Sequence, residues 1–93
     1  MKNLQEARVV VSGMVQGVFF RRSTRDIATY CGVSGFVRNL PGGQVEAVIQ
    51  GERSEVEKVV DFMREGPAGA VVERISVEWH EPAEAYEGFR IQY

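Results

Sequence analysis

Val9, Val10 and Val11 form a run of β-branched residues. Side chains branched at Cβ suit an extended backbone, so the run predicts a strand. From Phe20 to Cys31 the period changes: Phe20, Thr24, Ile27, Ala28 and Cys31 recur at helical spacing, with Arg21, Arg22, Arg25 and Asp26 between them. Gly32 then supplies a helix stop, because glycine accepts the left-handed conformation found there. "VSGFVRNL" and "QVEAVIQ" read as two strands joined through "PGG", a hairpin. "SEVE" fits a capping box, with Ser54 as N-cap of a second helix and Glu57 three residues on. Val56, Val59, Val60 and Met63 form its apolar stripe, and "EGPAGA" ends it. "VERISVEWHE" alternates, Ile75, Val77 and Trp79 against Arg74, Ser76, Glu78 and His80, as a half-buried strand does. After the loop "EPAEAYEG", "FRIQY" predicts a last short strand with Phe89, Ile91 and Tyr93 on one face.

The order is strand, helix, strand, strand, helix, strand and a short C-terminal strand. It predicts an α+β, ferredoxin-like βαββαβ sandwich: a mixed, mainly antiparallel sheet with both helices on one face. There is no repeat, low-complexity tract or linker, and 93 residues suffice for one small domain, 1–93. The fold alone names no function.

Composition narrows the classes. Hydrophobic residues make up 44% and charged residues 26%, a globular mixture. A net charge of -2 and a pI of about 5.4 argue against a general nucleic-acid binder but not against a local basic patch. No stretch approaches the ~20 apolar residues of a membrane span. The N-terminal apolar run is too short for a secretory signal and has an acid before it, so we expect a soluble cytoplasmic protein. Cys31 is the only cysteine, which excludes an internal disulfide, and it reads as a small buried thiol. With His80 as the only histidine, a conventional zinc site is not expected.

The chemistry concentrates in "GMVQGVFFRRS", Gly13 to Ser23, between the first strand and the first helix. A helix N-terminus exposes unpaired N–H groups and the positive end of its dipole, and both attract an anion. Gly17 would let the backbone approach a phosphate closely. Arg21 is unfavourable for helix stability at this end, yet its fork suits two phosphate oxygens. "QGVFFR" thus fits a phosphate cradle. It fits equally a tight turn at Gly17 beside solvated arginines, the reading we give Arg22 and Arg25. The spacing matches neither a P-loop nor a dinucleotide fingerprint.

"GMVQGVFFR" followed by "GFVRNLPGGQVEAVIQG" resembles the two motifs of the acylphosphatase family. The first has the form G-x-V-Q-G-V-x-F-R over Gly13 to Arg21. The second has the form G-aromatic-V-R-N-x-x-x-G-x-V over Gly35 to Gly51. Chain length, element order and the ending "FRIQY" are similar too, so the resemblance spans essentially the whole chain. It implies hydrolysis of the carboxyl–phosphate bond of acyl phosphates, without metal, cofactor or phosphoenzyme. It implies that Arg21 binds the phosphoryl group, that Gln16, Gly17, Val18, Phe19 and Phe20 supply cradling amides, and that Asn39 positions the attacking water. Inorganic phosphate is then product and inhibitor. Leu40 stands where relatives often have a small hydroxyl residue, and Gly42 where they often have an acid.

The implied chemistry is physically coherent. The leaving group is a carboxylate, so no strong general acid is required, and phosphoryl transfer is mostly positioning and charge stabilisation. Asn39 can orient a water but is too weak a base to take its proton. Alone, Asn39 would read as a strand-end cap. The same element order also serves RNA-recognition domains, but of their base-stacking aromatics only Phe36 is in place. A module that only binds anions is a third reading, which intact Arg21 and Asn39 oppose. We expect a monomeric enzyme acting on a small acyl phosphate, with no nucleic-acid or membrane partner.

Overall fold

The computed structural model describes residues 4–93. Its elements are β1 (Gln5–Met14), α1 (Phe20–Cys31), β2 (Ser34–Asn39), β3 (Val45–Gly51), α2 (Arg53–Glu65), β4 (Val71–His80) and β5 (Phe89–Gln92). They form a ferredoxin-like α+β sandwich with one five-stranded sheet in the order β4-β1-β3-β2-β5. All pairings are antiparallel except β2 with β5.

Strand alternation builds the core. Ala7, Val9 and Val11 of β1, Val37 of β2 and Val45, Ala47 and Ile49 of β3 are buried on the helix side. Phe20, Thr24 and Ala28 of α1 and Val56, Val59, Val60 and Met63 of α2 cover them, as their helical spacing predicts. Ile27 and Cys31 pack half-buried at the edge of this core. Gly32 closes α1 in the left-handed region at φ 73°. Among the described residues, no helix is long and apolar enough to cross a membrane.

The start of α2 differs from expectation. Its N-cap is Glu52, with no side-chain cap bond, and Ser54 lies inside the first turn. Arg53 lies over the Trp79 ring, 3.6 Å from the centroid, and its Nε donates to Glu57 at 2.8 Å. Stacking and an i,i+4 pair hold Arg53 in the helix, outweighing the hydroxyl cap.

On the open face, buried Glu46 accepts from Arg8 Nε of β1 and, at 2.7 Å, from Arg38 Nε of β2. The Glu46 bond and charge raise the Arg8 guanidinium above its ordinary pKa. This carboxylate locks three adjacent strands, and Asn39 follows Arg38 directly. Replacing Glu46 with alanine would leave the Arg38 guanidinium without its carboxylate and Arg8 with only its 3.5 Å contact to Glu78. The half-solvated arginines temper that loss, so Glu46→Ala is expected to cost about 2 kcal/mol in urea unfolding. Next to this network, Gln50 Nε2 donates to Glu6 at 2.7 Å, and Gln50 Oε1 accepts from the Tyr86 amide at 3.1 Å. The second bond fastens the loop that delivers β5 to the edge of β2.

The register then sets the site. Asn39 lies opposite Val45, and Val45 opposite Val11. Strands are spaced ~4.8 Å apart, so the end of β2 lies about 10 Å across the sheet from the end of β1. Parallel pairing of β5 with β2, Ile91 against Val37, brings the chain end to the same edge.

Candidate active site

The turn after β1 begins with a bulge. The β1–β4 register shifts between Ser12 and Gly13, and Gly13 has φ 127°. A Cβ there would lie 2.2 Å from the Val71 carbonyl oxygen, so only glycine lets the two strands approach. Val15 is buried and anchors the exit of the strand.

Residues 16–19 bend before α1 starts at Phe20. Gly17 has φ 76° and Phe19 has φ 62°, while Val18 between them is not in the positive region. Alternation of this kind turns successive N–H groups towards one side, the geometry of an anion-binding nest. Phe19 is the N-cap of α1; its side chain makes no capping bond, and no acid stands in the first turn. It is the only non-glycine residue at positive φ among the described residues, a conformation that costs about 1–3 kcal/mol. The residue is 74% exposed, so no burial at Phe19 offsets that cost.

The surrounding space is a cavity of about 480 Å³. Gly17, Phe19, Phe20, Arg21 and Asn39 all line it, so the turn, its arginine and the strand-end amide converge. Among the described residues, its lining contains no aspartate, glutamate or histidine side chain. Arg21 spans the cavity towards β5, its guanidinium 5.1 Å from the centroid of the Tyr93 ring.

Two cradle residues predicted from sequence stand apart from this lining. Val18 is half-buried and packs against the core. The Gln16 side chain turns to the β2–β3 hairpin, where Nε2 donates to the carbonyls of Leu40 at 3.0 Å and Gln44 at 2.9 Å. Gln44 Nε2 reaches back to Ser12 Oγ at 3.2 Å. These bonds tie the turn before α1 to the hairpin that carries Asn39. Leu40 contributes through its backbone, with its N–H also donating to Gln44 at 2.8 Å. A hydroxyl side chain at position 40 is therefore not needed for this link.

Other residues line the cavity that pattern reading placed elsewhere. Arg22 and Arg25, read as solvated, both stand on it, and Ile91 and Tyr93 close its far side. The signal for Arg25 was its i+4 spacing from Arg21, which puts both on one helix face. Tyr93 lies beyond the end of β5 and is 98% exposed, so it does not share the buried side of Phe89 and Ile91. On the opposite face of the sheet, Phe36 packs edge-on against Tyr86 at 5.7 Å, with the Arg38 guanidinium over its ring.

The role of Gly17 is open to a direct test. A Cβ at Gly17 meets no protein atom within 4 Å, so nothing in the fold clashes with a side chain there. A β-branched residue would still resist φ 76°, at about 1–2 kcal/mol, and would stand in the path of an anion. Gly17→Val is expected to fold, with a small loss of stability in urea, and to lose inhibition by inorganic phosphate. A folded variant inhibited like the parent would contradict the backbone cradle.

Comparison with known proteins agrees with this site. The family model described as Acylphosphatase matches residues 7–91. An acylphosphatase of Roseiflexus sp. (strain RS-1) is 50% identical over 91 residues, covering 98% of each chain. The crystal structure of acylphosphatase from Bacillus subtilis superposes with a TM-score of 0.92 at 30% identity, covering 96% of this chain and 99% of that one. An acylphosphatase structure from Coxiella burnetii gives 0.85 at 42% identity, covering 97% and 94%. With a near-complete family match, full-length relatives and the same fold, the chain belongs to the acylphosphatase family, hydrolases that act on acyl phosphates.

Proposed function

We propose that the chain cleaves acyl phosphates by in-line attack of a single oriented water on phosphorus, with no metal and no phosphoenzyme. The observation that carries this reading is one cavity lined by Gly17, Phe19, Phe20, Arg21 and Asn39 and, among the described residues, by no aspartate, glutamate or histidine side chain. The amides of Gly17 to Phe20 and the Arg21 guanidinium hold the phosphoryl oxygens. As the bond to the acyl oxygen lengthens, charge shifts onto these oxygens and the leaving carboxylate, where fixed donors act most strongly. Asn39 Oδ1 accepts a hydrogen bond from the water and aims its oxygen at phosphorus.

The balance is simple. The water oxygen bonds to phosphorus, and the phosphorus–acyl oxygen bond breaks with its electron pair on the carboxylate. Both water protons leave with the phosphate product. No side chain has to hold the proton, which suits a site whose titratable lining is arginine and Tyr93. In this reading the enzyme works as a monomer.

Hydrolysis of acetyl phosphate in ¹⁸O-water with excess chelator tests the route. Turnover is expected to be insensitive to the chelator, with the label in inorganic phosphate and none in acetate. Simple phosphate monoesters should react very little, since their alkoxide leaving group needs an acid that the site lacks. Label in acetate would move the attack to the acyl carbon. Loss of turnover that a divalent ion restores would refute the metal-free route.

A further inference from the structure

The cavity holds more positive charge than a phosphoryl group uses. In the proposed route Arg21 and the turn amides already account for the phosphate. Arg25 lies one turn further along α1, about 5–6 Å from Arg21 between Cβ atoms, and lines the same space. Its present partner is weak. Nε and Nη2 both donate to the single oxygen Oδ1 of neighbouring Asp26, at 3.3 and 3.2 Å, rather than forking onto two oxygens. The Arg25 and Asp26 side chains are 41% and 61% exposed, so the pair opens at little cost.

The cavity is also far larger than a phosphate; about 480 Å³ lies within the range of sites that enclose organic ligands. The remainder offers room for the acyl group beyond the cradle. Among the described residues, the ionic side chains on that surface beyond Arg21 are Arg22 and Arg25, and Arg22 is the more exposed.

We propose that Arg25 is a specificity-determining residue that receives an anionic group on the acyl portion of the substrate. The site then favours acyl phosphates bearing a second negative charge over neutral ones of equal length. This rests on the acyl-phosphate reading of the cavity. Arg25 would exchange its single-oxygen contact with Asp26 for a fork on the substrate carboxylate, a stronger arrangement. The charges of Arg22 and Arg21 raise the local concentration of such a ligand.

The test compares kcat/KM for succinyl phosphate and butanoyl phosphate, both four-carbon acyl groups, in the parent, Arg25→Gln and Arg25→Lys. The parent is expected to prefer succinyl phosphate by about tenfold, chiefly through KM. Arg25→Gln should lose most of that preference and Arg25→Lys should keep part of it. In the parent, added salt should erode the preference, a readout that needs no variant to fold. Hydrolysis of both substrates with no preference, or with one that Arg25→Gln leaves unchanged, would overturn the role of Arg25 while the acyl-phosphate reading stands. Hydrolysis of neither would overturn both.

Discussion

Arg21→Lys is expected to lower kcat/KM for acetyl phosphate by about 10²–10³-fold, a loss of roughly 3–4 kcal/mol of transition-state stabilisation. Lysine keeps the charge, so long-range attraction of the anion survives. It loses the planar fork that engages two phosphoryl oxygens at once. It also loses the delocalised cation that lies 5.1 Å from the centroid of the Tyr93 ring, and with it the bracing of the side chain across the cavity. Inhibition by inorganic phosphate should weaken too, because the same donors hold ground state and transition state. Arg22→Ala is the matched control: Arg22 is exposed and carries no role in the cradle, so turnover of acetyl phosphate should change less than about threefold. Equal effects of the two substitutions would show that the roles are misassigned.

Asn39→Ala should separate chemistry from binding. If Asn39 orients water, its loss removes an interaction made on the way to the transition state, while Arg21 and the turn amides still hold phosphate. Turnover is expected to fall by ~100-fold or more, a barrier change of roughly 3 kcal/mol, with the inhibition constant for phosphate nearly unchanged. The fold should persist, since Asn39 is an exposed strand end and the hairpin beyond it is held by Leu40, Gln44 and Gln16. Circular dichroism checks that point. A folded variant that retains turnover would remove Asn39 from the mechanism. A parallel loss of phosphate affinity would instead place Asn39 in the cradle.

The elements read best were those whose local pattern and tertiary role agree. The apolar stripe from Phe20 and the stop at Gly32 place α1 at Phe20–Cys31, as observed. The start of α2 was misplaced because Ser54 offers a good cap, while the stacking of Arg53 on Trp79 depends on β4, far away in sequence. The site divides in the same way. As lining of the cavity, Arg21 was legible because it breaks a local rule, Gly17 because glycine permits close backbone approach, and Asn39 because a second motif accompanies the first. Arg25 obeys every local rule for a solvated helical residue; its i+4 spacing puts it on the Arg21 face, and the position of Asn39 and β5 across the cavity shows what that face meets. Tyr93 follows from the parallel β2–β5 pairing, a long-range register that alternation within "FRIQY" does not encode. The left-handed backbone at Phe19 had no signal at all, since glycine or asparagine is the residue expected there.

The central claim is that backbone amides of the turn, together with Arg21, hold the phosphoryl group. A crystal structure with bound inorganic phosphate tests it most directly. Phosphate oxygens are expected within about 3.2 Å of amide nitrogens between Gly17 and Arg21 and of the Arg21 guanidinium, with Asn39 facing the phosphorus from the side open to water. A phosphate held by Arg22 and Arg25 alone, with the turn amides out of reach, would contradict the account.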